Sequence, residues 1–546
     1  MQILKLQNSG IYKWQKHDKS AIKGFIYDSN GNLINSENFL SQIIPLVKNM
    51  QYSEVFNKFY GHFSFIINND NYFIICVDKI RSFPIFYIYK DRSIILSDSA
   101  RSLLENCRDK SLDEDAVNEF LKLGYVTGTQ TLIKELKQLK AGQCLVYDKK
   151  TGSLEINKYY QFLHKDSLSG DEEKLFKMLD NVHERVFSRL FNSLNGRQVA
   201  VPLSSGLDSR LIIFMLKKLG YSNVVAYTFG RPDNFEAVVS RKISDKLGYK
   251  WLFVDYSLKK WYQWYHSEER KKFSNYADNL TAIAHLLEWP TVNFFKTNRV
   301  LNDDCIFIPG HTGDFITGMH IPEWFLGKKY IYQDELLDSI IKKHYNLYDW
   351  TKKSPKDFHL YKQKILSIIE EKDIYSPDEA ANNFELWEWQ ERQAKFICNA
   401  VREYEFYNYE WRLPFWDGEL MDFWCNIPLR YRIKRNLFHK YMLKYYSIET
   451  SSLSPVIKNI RRKKRSRKIY DLLSRINKVY IFLRKLKIFF NYYHHHLALP
   501  GVLKFYEYIK YIIKYGNDVH ITLFIDAQWQ INDYYEDFNI PKKKVN

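Results

Sequence analysis

The chain has 546 residues, 45% hydrophobic and 26% charged, with 41 Tyr, 37 Phe and 13 Trp. That composition excludes a disordered, collagenous or coiled-coil chain and suits two or three domains with large aromatic cores. Lys and Arg exceed Asp and Glu by 18, so nucleic acid, an anionic membrane and an anionic substrate all suit the surface, and charge alone does not choose among them.

The opening MQILKLQNSG lacks a basic start followed by an apolar run, and no later stretch reaches the roughly 18 uninterrupted apolar residues of a spanning helix. A soluble, cytoplasmic protein is expected, at most peripheral at the inner face of a membrane. The six cysteines, Cys76, Cys107, Cys144, Cys305, Cys398 and Cys425, form no C-x-x-C pair and no zinc spacing. They are expected to be free thiols in a reduced setting, with no structural metal.

From Phe59 to Asp98 the chain reads as hairpins: GHFSFII, the turn set NNDN, YFIICVD, then FPIFYIY, KDRS and IILSD. This β-rich region runs on through TLIKELKQL to AGQCLVYD, has no Gly-rich phosphate loop, and closes near Gln161. A helix is expected from about Asp171 to Leu194. QVAVPL (198–203) then reads as a buried strand, SSGLDS (204–209) as a tight loop, and SRLIIFMLKKL (209–219) as a helix ended by Gly220. VVAYTFG (224–230) is the next strand, FEAVVSRKISDKL (235–247) a helix closed by Gly248, and WLFVDY (251–256) a third strand. Strands alternating with helices imply a parallel, doubly wound α/β sheet, whose ligands lie at the carboxyl ends of the strands. SSGLDS and TFGRPDN, with Thr228, Phe229 and Gly230, lie at those ends.

A mostly helical stretch is expected from Tyr276 to about Tyr446, broken by IPGHTGDFITG (308–318). After Pro455 comes a basic run, IKNIRRKKRSRK (457–468), then amphipathic text with basic residues among aromatics. A break at Pro500 and Gly501 precedes a final aromatic helix. The basic segment suits a solvated helical face or an electrostatic surface for anionic lipid or a polyanion, with RNA a minority reading. The internal HHH at 494–496 shows no partner ligands.

Three constellations carry chemistry. The first is Leu203, Ser204, Ser205, Gly206, Leu207, Asp208 and Ser209 between a strand and a helix. Such a turn aims backbone N–H groups and the positive helix end at an anion, the serines add donors, and Asp208 can hold a divalent cation. The bland alternative is a helix capped by Ser204 or Ser205. The second is Gly310, His311, Thr312, Gly313 and Asp314 after the apolar run CIFIP; a strand end followed by two glycines and a carboxylate is a natural second half of a Mg-pyrophosphate site with Asp314 facing Asp208, although alone it would be an ordinary glycine loop. The third runs from Glu410 to Asp417, EWRLPFWD; alone, it reads as a helix end stopped by Pro414 with a surface ion pair.

SSGLDS resembles the PP-loop, S-G-G-[LIV]-D-S, of ATP-pyrophosphatases, with Ser205 in place of one glycine. With all three motifs in order, the chain resembles the asparagine synthetase family, whose synthetase domain carries S-G-G-L-D-S, S-G-E-G-S-D and E-x-R-x-P-F-x-D. The last motif matches at Glu410, Arg412, Pro414, Phe415 and Asp417. The resemblance implies a glutaminase-like sandwich (1–161), a PP-loop ATP-binding domain with added helices (162–450) and a basic aromatic extension (451–546). It also implies ATP with Mg²⁺ held by Asp208 and Asp314, adenylation of a carboxylate, and capture of the acyl-adenylate by ammonia or an amine.

Two departures shape this reading. Complete members of the family begin, after Met1, with a cysteine that hydrolyses glutamine; here that position is Gln2, so the first domain is read as having lost its reaction, as in β-lactam synthetases and lasso-peptide cyclases. In the synthetase half His311 takes the place of a glutamate that handles protons, and a histidine near neutral pH can serve as general base; it can equally hydrogen-bond a phosphate or a loop carbonyl. Lys434, Arg435 and Lys440 lie where the family's later catalytic lysine falls. The expected function is an ATP-dependent amide-forming ligase without its own glutaminase. Its carboxylate substrate would be a small molecule or, by analogy with relatives in surface-polysaccharide synthesis, a sugar acid. An intramolecular amide cyclase, a tRNA-modifying PP-loop enzyme and a non-catalytic membrane-associated subunit stay open beside it, although the first domain and the third motif make nucleic acid the lesser partner. The sequence does not set the oligomeric state.

Overall fold

The computed structural model describes residues 2–7, 10–165, 167–232, 234–350, 355–446, 487–516 and 520–538. The basic run 457–468 lies outside them. The first domain is a sandwich of two sheets. Its strands are β1 (Gln2–Lys5), β2 (Gln15–His17), β3 (Ser20–Tyr27), β4 (Tyr60–Asn68), β5 (Tyr72–Val77), β6 (Phe86–Lys90), β7 (Ser93–Ser97), β8 (Lys137–Gln138), β9 (Gln143–Asp148) and β10 (Leu154–Lys158). One sheet has the order β10-β9-β5-β4-β3-β2 and the other β1-β7-β6-β8.

The period-two pattern sorts the faces. Phe73, Ile75 and Val77 of β5 meet Tyr87, Ile94 and Leu96 of the opposite sheet. Ile74 and Cys76 face away, under α1 (Ser36–Lys48) and α2 (Tyr52–Lys58). The turn NNDN closes β4 onto β5 through Asn69 Oδ1, which accepts the N–H groups of Asn71 (3.0 Å) and Tyr72 (2.8 Å). β5 and β6 are not a hairpin: the Asp78 carboxylate gathers the N–H groups of Phe63, Ile80 and Ser82 at 3.1, 3.1 and 2.9 Å and turns the chain into the second sheet.

The expectation of six free thiols is corrected here. β5 and β9 pair with Cys76 opposite Cys144, and that register joins them in a disulfide. Cys107, Cys305, Cys398 and Cys425 are free and buried.

After α3 (Glu114–Leu123), α4 (Glu172–Leu194) leads into the second domain. Its strands are β11 (Val199–Pro202), β12 (Val224–Gly230), β13 (Lys250–Asp255), β14 (Ile306–Phe307), a small hairpin of β15 (Ile331–Tyr332) and β16 (Ile374–Tyr375), and β17 (Glu410–Trp411). β13-β12-β11-β14-β17 is a wholly parallel sheet, with α5 (Leu207–Lys218) and α6 (Phe235–Leu247) as crossovers. α6 starts where the Asn234 side chain accepts the Ala237 N–H (2.8 Å) and stops at Gly248, whose φ of +71° is left-handed. The sequence reading expected three strands, and the sheet has five. β14 falls in CIFIP, the strand end read before the glycine loop, and β17 is two residues, too short to leave a periodic signal. Glu410 and Trp411, read as a helix end, instead pair with Ile306 and Phe307.

The C-terminal residues belong to the same core: Tyr492, Val502, Ile512, Ile521 and Phe524 are buried with the parallel sheet's side chains. At the break after Pro500, a Cβ on Gly501 would collide with the backbone of Leu258, so the extension lies directly against the helix Leu258–Tyr265. Among the described residues no helix is long and apolar enough to cross a membrane.

Beneath β12 the Tyr227 and Tyr404 hydroxyls both donate to Glu288 Oε1, Tyr404 at 3.0 Å. Burial raises the Glu288 carboxyl to about 7 although both hydrogen bonds oppose the shift, and burial with the neighbouring Glu288 raises Glu403 as well. An acid whose folded pKa lies above its unfolded value holds its proton in the fold, so its stabilisation is complete below about 4.5 and is lost as pH rises to about 7. The loss from Glu288 is on the order of 3 kcal/mol. Glu288→Gln should therefore show a shallower fall of denaturation free energy between pH 5 and 8 than the parent chain. Equal slopes would place the titration elsewhere.

Candidate active site

β11 is the central strand, and its carboxyl end delivers the first constellation. The Leu203 N–H donates to the Tyr227 carbonyl (2.8 Å) and its own carbonyl accepts the Thr228 hydroxyl (2.6 Å), which levels the ends of β11 and β12. Ser204 turns the chain. Its N–H donates to Ser209 Oγ (3.1 Å), and its own Oγ accepts the Gly206 N–H (3.0 Å). α5 begins at Leu207, so Asp208 and Ser209 stand in its first turn rather than in the loop. Gly206 caps the helix without a side chain, which leaves first-turn N–H groups for an anion. Ser205 contributes its carbonyl to Arg210 Nη2 (3.1 Å).

The second constellation packs onto the first. A Cβ on Gly310 would stand 3.0 Å from the Ser209 nitrogen, and one on Gly313 would collide with the Asp208 carboxyl. The two glycines are what let the loops meet. Thr312 between them is buried at φ +74°, and its hydroxyl donates to Gln393 Oε1 (2.9 Å). Lys434 and Arg435 are two further non-glycine residues in the left-handed region; such conformations cost of order 1–3 kcal/mol each and gather at functional sites.

Arg435 forms a two-pronged ion pair with Asp208. Burial raises the Asp208 carboxyl and the charge of Asp314 adds to the rise, against the pull of Arg435. Asp314 goes the other way: burial opposes ionisation, but His320 at 3.1 Å and the charges of Arg435 and Arg392 hold it at about 2. His320 also binds the buried Glu388, and despite burial these two carboxylates lift it to about 9. Two carboxylates repelling each other across a glycine-lined gap fit a divalent cation. Among the described residues no three His, Cys, Asp or Glu side chains converge on a metal, so such an ion would complete its shell with phosphate oxygens and water.

His311 lies beside this gap with its Nδ1 buried and without a hydrogen-bond partner among the described residues. Burial and the neighbouring His285, ring centroids 6.5 Å apart, push it down to about 3. His285 is likewise pushed to about 4 by burial and Arg392. Both imidazoles are neutral at neutral pH.

The remaining expected residues divide. Of Lys434, Arg435 and Lys440, Arg435 alone touches Asp208; Lys434 pairs with Glu323 and Lys440 with Glu172 on the surface. Thr228 spends its hydroxyl on Leu203 and Ser240, and Phe229 stacks on Tyr256. Gly230, at φ +124°, makes room for the His496 carbonyl, which accepts the Arg231 N–H (2.8 Å). The extension thus lies across that strand end.

The third constellation ties the domains together. Glu410 takes Arg197 and Arg412. Arg412 reaches the Tyr12 hydroxyl (3.1 Å) and lies 4.1 Å over the Phe25 ring. Asp417 binds Arg189 (2.8 Å) and caps the helix Gly418–Cys425.

His285, His320, Glu388, Arg392 and Gln393 escaped the sequence reading. Their signal was Glu385, Glu388 and Glu391, spaced three apart in Trp-rich text and all fully buried, where an unpaired Glu is almost never found. The segment Trp389–Ile397 is π-helical, a form frequent at functional sites.

Residues 41–160 match the family model of a glutamine amidotransferase domain. Microcin J25-processing protein McjC of Escherichia coli is 23% identical over 302 residues, 54% of this chain and 54% of that protein. The chain therefore spans about half the length of this curated relative. A solved structure of glutamine phosphoribosylpyrophosphate amidotransferase from B. subtilis, complexed with ADP and GMP, aligns with 44% of this chain and 72% of its own at 10% identity. Its TM-score is 0.17, too loose to inform the fold.

Proposed function

We propose that the chain is a member of the asparagine synthetase family, a reading supported by the glutamine amidotransferase match and the likeness to McjC, and that it is an ATP-dependent carbon–nitrogen ligase that adenylates a carboxylate and passes the acyl group to ammonia or an amine. The observation that carries this reading is the seating of Gly313 on Asp208, which brings Asp208 and Asp314 together beside the open first turn of α5. Mg²⁺ held there would neutralise the departing pyrophosphate. The chain's own groups would do the rest. The loop from Ser204 to Ser209 grips the β and γ phosphates and leaves the α phosphorus open to the carboxylate. Arg435 releases Asp208 to the metal and swings its charge toward the phosphates, and His311 accepts the proton of the attacking amine.

Glutamine hydrolysis has no thiol to use in the described first domain. Cys76 and Cys144 are bonded to each other, and burial pushes the Cys107 thiol up to about 11. A second reading, an amide closed within one peptide, is favoured by the likeness to a protein named for processing microcin J25.

With carboxylate and ammonium supplied, the purified chain should convert ATP to AMP and pyrophosphate and release no glutamate from glutamine. ADP and phosphate as products would overturn the mechanism. Glutamate release without a partner subunit would overturn the reading of the first domain.

A further inference from the structure

A largely apolar cavity of about 210 Å³ lies between the synthetase domain and the C-terminal extension. At about 30 Å³ per water it holds roughly seven waters' volume, the size of one aromatic or large aliphatic group. Trp261 and Phe396 supply one wall, Val502 and Leu523 of the extension another. His285, the neighbour of His311, and Arg392 also line it. Arg392 is the one lysine or arginine lining it among the described residues, and its charge acts on Asp314 on one side and on His285 on the other. The cavity thus joins apolar walls to a cation whose charge reaches Asp314 and which is itself held by the buried Glu388 at 3.4 Å. An acid group on its wall, Asp526, is engaged by the Tyr265 hydroxyl (3.1 Å). The His285 Nδ1 is buried with no hydrogen-bond partner among the described residues, so the lining carries a polar atom without a protein partner, able to make an orienting contact.

We propose that this cavity receives the apolar body of the carboxylate substrate, with Arg392 holding the carboxylate toward the nucleotide loop and the C-terminal extension setting the size of group admitted. The proposal rests on the ligase reading for the word substrate, but the cavity's preference is a binding property. An apolar wall favours an acid carrying an aryl or branched aliphatic group, such as a hydrophobic peptide residue, over a polyhydroxylated acid, whose hydroxyls would lose water without partners.

Calorimetric titration of the full chain, without nucleotide, with phenylpropanoate, propanoate and phenylpropanol tests it. Phenylpropanoate should bind tenfold or more tightly than propanoate, since only it buries a ring, and more tightly than the alcohol, since only it meets Arg392 as an anion. Leu523→Trp, and Thr522→Phe as a second filling variant, should each weaken phenylpropanoate tenfold or more. Arg392→Gln should weaken the acid and spare the alcohol, a split that general loss of folding would not give. Equal binding of phenylpropanoate and propanoate, or unchanged binding in both filling variants of native circular dichroism, overturns the assignment. Parallel titration with Mg-ATP separates the two readings. ATP bound without phenylpropanoate sinks the cavity's role, whereas phenylpropanoate bound without ATP sinks the ligase reading and leaves the cavity a carboxylate site.

Discussion

Asp208→Asn should lower carboxylate-dependent exchange of pyrophosphate into ATP by about 10²- to 10³-fold, the loss that follows removal of one fixed group facing developing charge. The substitution keeps shape and removes charge at a carboxyl that burial and Asp314 raise and Arg435 pulls back. In the parent chain a bound cation would replace Arg435 as the counter-charge. In the variant Arg435 loses its ion-pair partner, and its buried side chain keeps the ring of Phe438 at 4.6 Å and the charge of Asp314 nearby. Fold must therefore be checked by circular dichroism, and Asp314→Asn run beside it, since Asp314 is half exposed and held by His320 rather than Arg435. Both variants should lose exchange while keeping a native spectrum. Exchange at the parent rate in either would move the cation to other ligands.

His311→Ala should separate the two half-reactions. A proton acceptor works after adenylation, so pyrophosphate exchange should survive while amide formation falls roughly 10²- to 10⁴-fold, the range of general base catalysis. The resting site already holds His311 neutral, with burial first and His285 second among the causes, so the acceptor form is present throughout the neutral range. Phosphate charge arriving in the gap would raise its basicity as the amine attacks. A histidine that served to bind phosphate would lose both half-reactions together. Equal losses in side-by-side assays would put the base elsewhere, with His285 next in line.

What could be read from the sequence follows the length of each signal. α6 is found at the residues read for it, and β12 likewise, because a cap, an apolar period and a glycine stop agree there. The meeting of SSGLDS and GHTGD was legible for the same reason: a short loop after a strand confines where the chain can go. β14 was legible as the strand end CIFIP but not its place in the sheet, and β17 was not legible at all, because two residues carry no period; pairings across 100 residues make them neighbours. The disulfide escaped because cysteine spacing along the chain says nothing of a register set by β5 and β9. His320, Glu388 and Arg392 escaped because their importance is a matter of what a π-helical turn and a buried loop bring face to face. The role of EWRLPFWD was half legible. Its residues stood out, but their work is done on Tyr12, Phe25 and Arg189, which no local window contains.

The join made by Trp411 and Arg412 makes the sandwich part of the second domain's interior. Trp411 packs on Tyr12, Phe25, His62 and Phe83 of the sandwich while its backbone extends the parallel sheet. One continuous apolar core runs from Tyr12 and Phe83 to Val199 and Phe307. The boundary between the sandwich and the parallel sheet is therefore packed core rather than a surface contact, while the sandwich keeps clusters of its own beneath α1 and α2 and between its two sheets. Removing the sandwich would uncover Trp411 and with it β17, the edge strand that pairs with β14 just ahead of the glycine loop.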